Sequence, residues 1–207
     1  MGAADLGGSG HNDGMATHVA LLRGINVGGR NKVPMADLRE IVTSLGHSGV
    51  TTYIQSGNVL FTTASTSTGE LASALEAAIT GRFGIDAPVV VLSRDDLARV
   101  LQDNPYPDET NPRLVHVVFL NGEPPAGLLD RIAAAQSAAG AKGSHDTVTA
   151  IGHALFLHTP DGYGNSELAQ SLFRIISPPA KQKPEGLAAT ARNWATATKL
   201  LALCDQK

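Results

Sequence analysis

Three stretches of the chain carry polar and charged residues where a plain strand or helix would not need them. In "LLRGINVGGRNK", residues 21–32, Arg23, Arg30 and Lys32 are interleaved with Gly24, Gly28 and Gly29 and with Asn26 and Asn31, and no acid interrupts residues 14–36. Glycine-rich loops ahead of a helix can aim backbone N–H groups at an anion, and cations add charge to the same place. The chemistry this predicts is binding of phosphate or carboxylate. The loop comes near the phosphate-loop pattern G-x-x-x-x-G-K-[ST], with Arg30 in the lysine position and Asn31 in the hydroxyl position. Lacking the hydroxyl that would hold magnesium, it is not read as a nucleoside-triphosphatase. The competing reading is that the glycines only turn the chain and the cations face solvent.

The second stretch, "TYIQSGNVLF", clusters Gln55, Ser56 and Asn58 at a hairpin tip, with the turn expected at Gly57-Asn58. Ser56 and Gly57 fit ordinary turn chemistry, whereas the amides of Gln55 and Asn58 could contact a ligand or brace a neighbouring loop. The third, "TARNWATATKLL", reads as a helix start with Thr190 as cap and Arg192 in the first turn, followed by Asn193 and Trp194. A cation there opposes the helix dipole, so a bound anion or a partner carboxylate would explain it; a surface arginine is the alternative. Trp194, the single tryptophan, is expected in the core.

Other chemistries lack their residues. The seven histidines show no ligand spacing, since His153 and His158 fall on opposite faces of one expected strand, and no metal or cofactor is expected. No G-x-S-x-G elbow and no G-x-G-x-x-G turn occurs. Asp95-Asp96 and Asp108-Glu109 read as a helix start and a solvated connection rather than catalytic pairs. The lone Cys204, in "KLLALC", excludes an internal disulfide and reads as buried.

The elements that must position these residues follow from periodicity. "HVALLRGI" is a strand and residues 35–45 an amphipathic helix; "GVTTYIQSGNVLFTT" is a hairpin, residues 71–83 a second helix and "APVVVLS" another strand. The order βαββαβ is the ferredoxin-like unit, so the fold class is α+β. From residue 94 the pattern partly repeats as αβαββαα, a related unit that has lost its last strand and gained C-terminal helices. The expected organisation is an extension without fixed structure over residues 1–16, a ferredoxin-like lobe over 17–103, a proline-rich linker over 104–113 and a second α+β lobe over 114–207.

The motifs "ALLRGINVGGRNKVPMADLR", "LGHSGVTTYIQSGNVLF" and "ARNWATATKLL" resemble, in order and spacing, the domain of unknown function 1697 family, over about residues 17–204. The resemblance implies a bacterial protein of compact α+β architecture with no settled activity. Its matching positions are Arg23, Gly24, Asn26, Gly28, Gly29, Lys32, Gln55, Ser56, Gly57, Asn58, Arg192, Asn193 and Trp194. One departure stands out: where the family shows a Gly-x-Ser-Lys-Leu run, this chain has "GNSEL", with Glu167 in the lysine position.

Composition narrows the function classes. A formal charge of −3 and a sequence pI of about 6.1 do not describe a generally basic nucleic-acid binder, and no apolar run is long enough to span a bilayer. A cytoplasmic protein is expected, with a small anionic ligand as partner, bound or acted on through Arg23, Gly24, Asn26, Gly28, Gly29, Arg30, Lys32, Gln55, Asn58, Arg192 and Asn193. The alternative is a nucleic-acid module using the open face of a ferredoxin-like sheet. Against it stand an aromatic content of 4% and the lack of an RNA-recognition strand.

Overall fold

The computed structural model describes residues 15–177 and 187–206. The first half runs β1 (His18–Leu22), α1 (Met35–Ser44), β2 (Ser48–Tyr53), β3 (Asn58–Thr62), α2 (Thr68–Phe83), β4 (Val89–Ser93) and α3 (Arg94–Gln102). The second runs β5 (Val115–Leu120), α4 (Ala126–Gly140), β6 (Thr147–Ile151), β7 (Ala154–His158), α5 (Glu167–Ile176), β8 (Ala189–Asn193) and α6 (Trp194–Cys204). Each half forms a four-stranded antiparallel sheet, ordered β2-β3-β1-β4 and β6-β7-β5-β8. The chain is therefore an α+β protein of two related units. The extension expected over residues 1–16 lies outside the described residues up to residue 14.

One expectation is corrected. The second unit keeps its last strand, because residues 189–193, read from sequence as the approach to a helix, form β8. "ATARN" has no large apolar side chain of its own; its strand character comes from pairing with β5, from Leu120↔Ala189 to His116↔Asn193. Arg192 is consequently a strand residue. Asn193, not Thr190, caps α6, its Oδ1 accepting the Thr196 N–H at 2.8 Å.

The two units superpose register by register. Ser93 caps α3 as Asn193 caps α6, and His18↔Ser93 matches His116↔Asn193. Leu22 N–H bonds Gly57 O at 2.8 Å as Leu120 N–H bonds His153 O at 2.9 Å. In this frame Arg192 occupies the place of Leu92.

Strand alternation divides the core into three layers. Ala20 and Leu22 face Leu38, Val42, Leu75 and Ile79 of α1 and α2, while Val118 and Leu120 face Leu128, Leu168 and Leu172 of α4 and α5. The opposite faces, with Val19, Leu21, Leu60 and Leu92 of one sheet and Val117, Phe119 and Phe156 of the other, close around Leu97 of α3 and Ala197, Leu200 and Cys204 of α6. Neither sheet leaves an open face. Burial pushes the Cys204 thiol up to about 11, as suits an unreactive core residue. The proline-rich segment 104–113 is docked against the second sheet: Tyr106 Oη bonds the Thr147 and Thr149 hydroxyls at 2.8 and 3.0 Å, and Glu109 meets His158 at 2.9 Å. No helix of the described residues is long and apolar enough to cross a membrane.

Candidate functional site

The three polar stretches come together at one end of the junction between the units. Residues 24–33 leave β1 and fold back as a small hairpin of their own. Val27 and Arg30 pair, Arg30 N–H bonding Val27 O at 3.0 Å, across Gly28 and Gly29 with φ of +57° and +76°. Two successive residues at positive φ make a two-residue type I′ turn, which is why this spot carries Gly-Gly. Backbone bonding between Val27 and Arg30 thus replaces the open cradle of N–H groups expected from the sequence.

Two asparagines brace this hairpin. Asn26, itself at φ +55°, donates from Nδ2 to Val33 O and Gln55 O, and its Oδ1 accepts the Val33 N–H, all at 2.9 Å. Asn31, at φ +49°, donates to Gly24 O at 2.9 Å. Asn26 therefore ties the loop to the β2–β3 tip. That tip is a four-residue turn, Ile54–Gly57, and not the Gly57-Asn58 turn expected. Asn58 is the first residue of β3, and its Nδ2 bonds Tyr53 O and Ser56 Oγ at 2.9 and 3.0 Å, closing the wider loop from inside. Gly57 is required twice over. Its φ is +80°, and a Cβ would lie 2.8 Å from both Leu22 Cβ and Ile25 Cδ1.

Arg192 reaches into this assembly from β8. Its Nε donates to Asn58 Oδ1 at 2.5 Å, and Nη1 donates to the Thr190 hydroxyl and Ala191 O, both at 2.8 Å. Nη2 is shared among Leu22 O at 2.8 Å, Ser56 O at 3.1 Å and Gly57 O at 3.2 Å. Every N–H of the guanidinium has an acceptor, all of them uncharged. Burial pulls the guanidinium down to about 10, which leaves it charged at neutral pH. Arg192 joins the two units and faces no carboxylate among the described residues. Arg23 does related work: its Nη1 donates to Ile176 O at the end of α5 and to Ala189 O, at 3.0 and 3.1 Å. A cation at a helix C-terminus complements the dipole. Burial lowers its pKa, with Asp86 opposing the shift.

Of the expected site residues, Arg23, Asn26, Asn58 and Arg192 thus have hydrogen-bonding groups engaged inside the protein, Asn193 caps α6, and Gly24, Gly28 and Gly29 shape the loop. Arg30, Lys32 and Gln55 differ. All three side chains are exposed, and none has a hydrogen-bond or ion-pair partner among the described residues. Beside them lie two residues that the sequence reading passed over, Val27 at 67% and Ile54 at 50% exposure. Ile54 also sits at φ +50°, a backbone state β-branched residues avoid. The available signal was an isoleucine in a turn with Gln-Ser-Gly after it.

Glu167 lies elsewhere, in the first turn of α5 behind the Ser166 cap, paired with Lys142 at 2.7 Å. There its carboxylate suits the helix N-terminus. Among the described residues, no group of three or more His, Cys, Asp or Glu side chains is placed to hold a metal ion.

The model of the protein family described as "Protein of unknown function (DUF1697)" matches residues 15–156. The match ends within β7, so the motifs around Glu167 and Arg192 fall beyond it. A solved structure of a conserved bacterial protein from Streptococcus pneumoniae is similar at 25% identity and a TM-score of 0.64, covering 92% of this chain and 99% of that one. No curated protein matches. With more than half of its length matched, and with both units present in the similar structure, the chain belongs to the DUF1697 family.

Proposed function

We propose that the loop 24–32 and the tip 54–57 form the recognition surface of a protein that binds a small phosphorylated or otherwise anionic ligand. Arg30 and Lys32 contact the anion, and the Gln55 amide adds a hydrogen bond. Arg23, Asn26, Asn58 and Arg192 hold the platform in place. The observation that carries this reading is a pair of exposed cations, without a carboxylate partner among the described residues, on a hairpin whose conformation is already fixed by Asn26 and Asn31. A prefixed loop loses little conformational freedom on binding. Two further facts support it. Helix α1 follows at Met35 with no side chain capping its first turn, and Ile54 keeps an unfavourable backbone conformation at the surface. The reading assigns binding and no bond-making step. It also places the protein in the cytoplasm, in keeping with a single, buried, unpaired cysteine.

The nucleic-acid reading has less support. Its platform would be the sheet face carrying Val19, Leu21 and Leu60, which packs against α3 and α6. Thermal unfolding with a panel of nucleotides, sugar phosphates and short RNAs separates the two. A ligand at 100 times its Kd adds about 2.7 kcal/mol, or roughly 5 to 11 °C for a chain of this size. Phosphorylated small molecules are expected to give that rise; a rise with RNA alone, or with none of the panel, would overturn the proposal.

A further inference from the structure

The near-repeat of the two units points to a second, separate site. On one side of the junction the Arg192 guanidinium fills the space between β8, the end of β1 and the β2–β3 tip. The strand registers give its counterparts on the other side: Leu92 for Arg192, Leu120 for Leu22, and Gly152 and His153 for Ser56 and Gly57. There the hairpin tip is only Gly152-His153, the counterpart of Asn58 is Ala154, and Leu92 supplies no guanidinium. Leu92, Leu120, Gly152 and His153 line a cleft of about 360 Å³ whose other wall carries Asp96, Arg99 and Asp103. That volume lies within the range of roughly 300 to 1,000 Å³ found for small-ligand sites.

The chemistry of the cleft follows from what it lacks. Leu22 O and Ser56 O accept from Arg192, whereas no described side chain donates to their counterparts Leu120 O and Gly152 O. Asp96 already holds Ser93 at 2.6 Å and Arg99 at 2.9 Å. Asp103, at the end of α3, has no side-chain partner among the described residues. Two carboxylates against one guanidinium leave the wall with an excess of negative charge.

We infer that this cleft binds a small molecule ending in a guanidinium or primary ammonium group, which donates to the Leu120 and Gly152 carbonyls as Arg192 does across the junction and takes Asp103 as its counter-charge. The apolar floor of Leu92, Val100 and Ile151 suits the short methylene chain such molecules carry.

Agmatine is the probe, with butyramide as an uncharged control, followed by calorimetry and by amide chemical shifts on the whole chain. Saturable agmatine binding is expected, with shifts at Gly152 and His153 and none in residues 24–32. Leu92→Arg, which places the chain's own guanidinium in the cleft, removes the binding. Asp103→Lys changes only an exposed position, so it decides the matter even where Leu92→Arg fails to fold, and it weakens binding at least roughly tenfold. No saturable binding up to about 10 mM, equal binding of butyramide, or undiminished affinity in Asp103→Lys would each overturn the inference.

Discussion

Replacing Arg192 by methionine keeps most of the side chain's length and removes the guanidinium that joins the units. Two of the acceptors left behind, Leu22 O and Asn58 Oδ1, belong to buried residues, with Leu22 1% and Asn58 0% exposed, whereas Gly57 O keeps the Leu22 N–H at 2.8 Å. Ser56 O is on an exposed residue and can turn to water. A buried acceptor left without a partner costs about 1 to 3 kcal/mol, so two give at most ~6 kcal/mol if neither relaxes. Against this, the fold no longer has to desolvate a cation, which returns several kcal/mol. The net loss is expected at about 2 kcal/mol, a substantial share of the 5 to 15 kcal/mol typical of a folded protein. Urea unfolding, followed by Trp194 fluorescence and by circular dichroism, measures it. Arg192→Lys keeps the charge but has three donors radiating from one point, so it should recover only part of the loss. A loss below about 1 kcal/mol for methionine, or a lysine variant as stable as the wild type, would refute the claim that this guanidinium holds the junction.

Two further outcomes follow from single residues. Gly57→Ala must accept a positive φ, at about 1 to 2 kcal/mol, and a Cβ pressed against Leu22 and Ile25, at about 1 to 3 kcal/mol, so its thermal midpoint should fall well below those of Gly28→Ala and Gly29→Ala, where a Cβ meets nothing within 4 Å. His116 stacks on Tyr163 at a centroid distance of 4.0 Å, and burial pulls its imidazole from 6.5 to about 4. It is neutral in the fold while the unfolded chain takes up the proton first, so its contribution is complete above pH 6.5 and is lost as pH falls towards 4. Allowing for solvent screening, His116→Phe should remove roughly 2 kcal/mol of acid sensitivity across that window, read from urea midpoints at pH 7, 5.5 and 4.5. His18 and His47, also lowered by burial, give the wild type further sensitivity in the same direction that this substitution leaves untouched.

What the sequence made legible was set by where the determining interactions lie. "HVALL", "VVVLS" and "VHVVFL" are strands because their own side chains fill the core from both faces. "ATARN" is a strand only because β5 is there to pair with it, and nothing local says so. The three polar stretches were recognisable as special, and they do meet. Formal charge, however, says nothing of which acceptors a cation finds: Arg192 looked like an anion ligand until the carbonyls of Leu22, Ser56 and Gly57 were placed around it. The expected Gly57-Asn58 turn failed for a similar reason. Asn-Gly and Gly-Asn pairs favour two-residue turns, but the Asn58 side chain bonds back to Tyr53 and Ser56 and stabilises a longer one. The exposure of Ile54 is hinted at by the Gln-Ser-Gly that follows it, whereas that of Val27 has no such signature, since valine ordinarily seeks the core.

The most direct test of the anion-binding surface is a titration of the isotopically labelled protein with inorganic phosphate and with the best phosphorylated compound from the thermal panel, read as amide chemical shifts. Shifts are expected at Gly28, Gly29, Arg30, Lys32 and Gln55, saturating together, and they should vanish in an Arg30→Glu/Lys32→Glu double variant whose unfolding midpoint is unchanged, because both side chains are exposed and have no partner among the described residues. Shifts that saturate elsewhere in the chain, or that persist in the double variant, would contradict the assignment of this loop as the anion site.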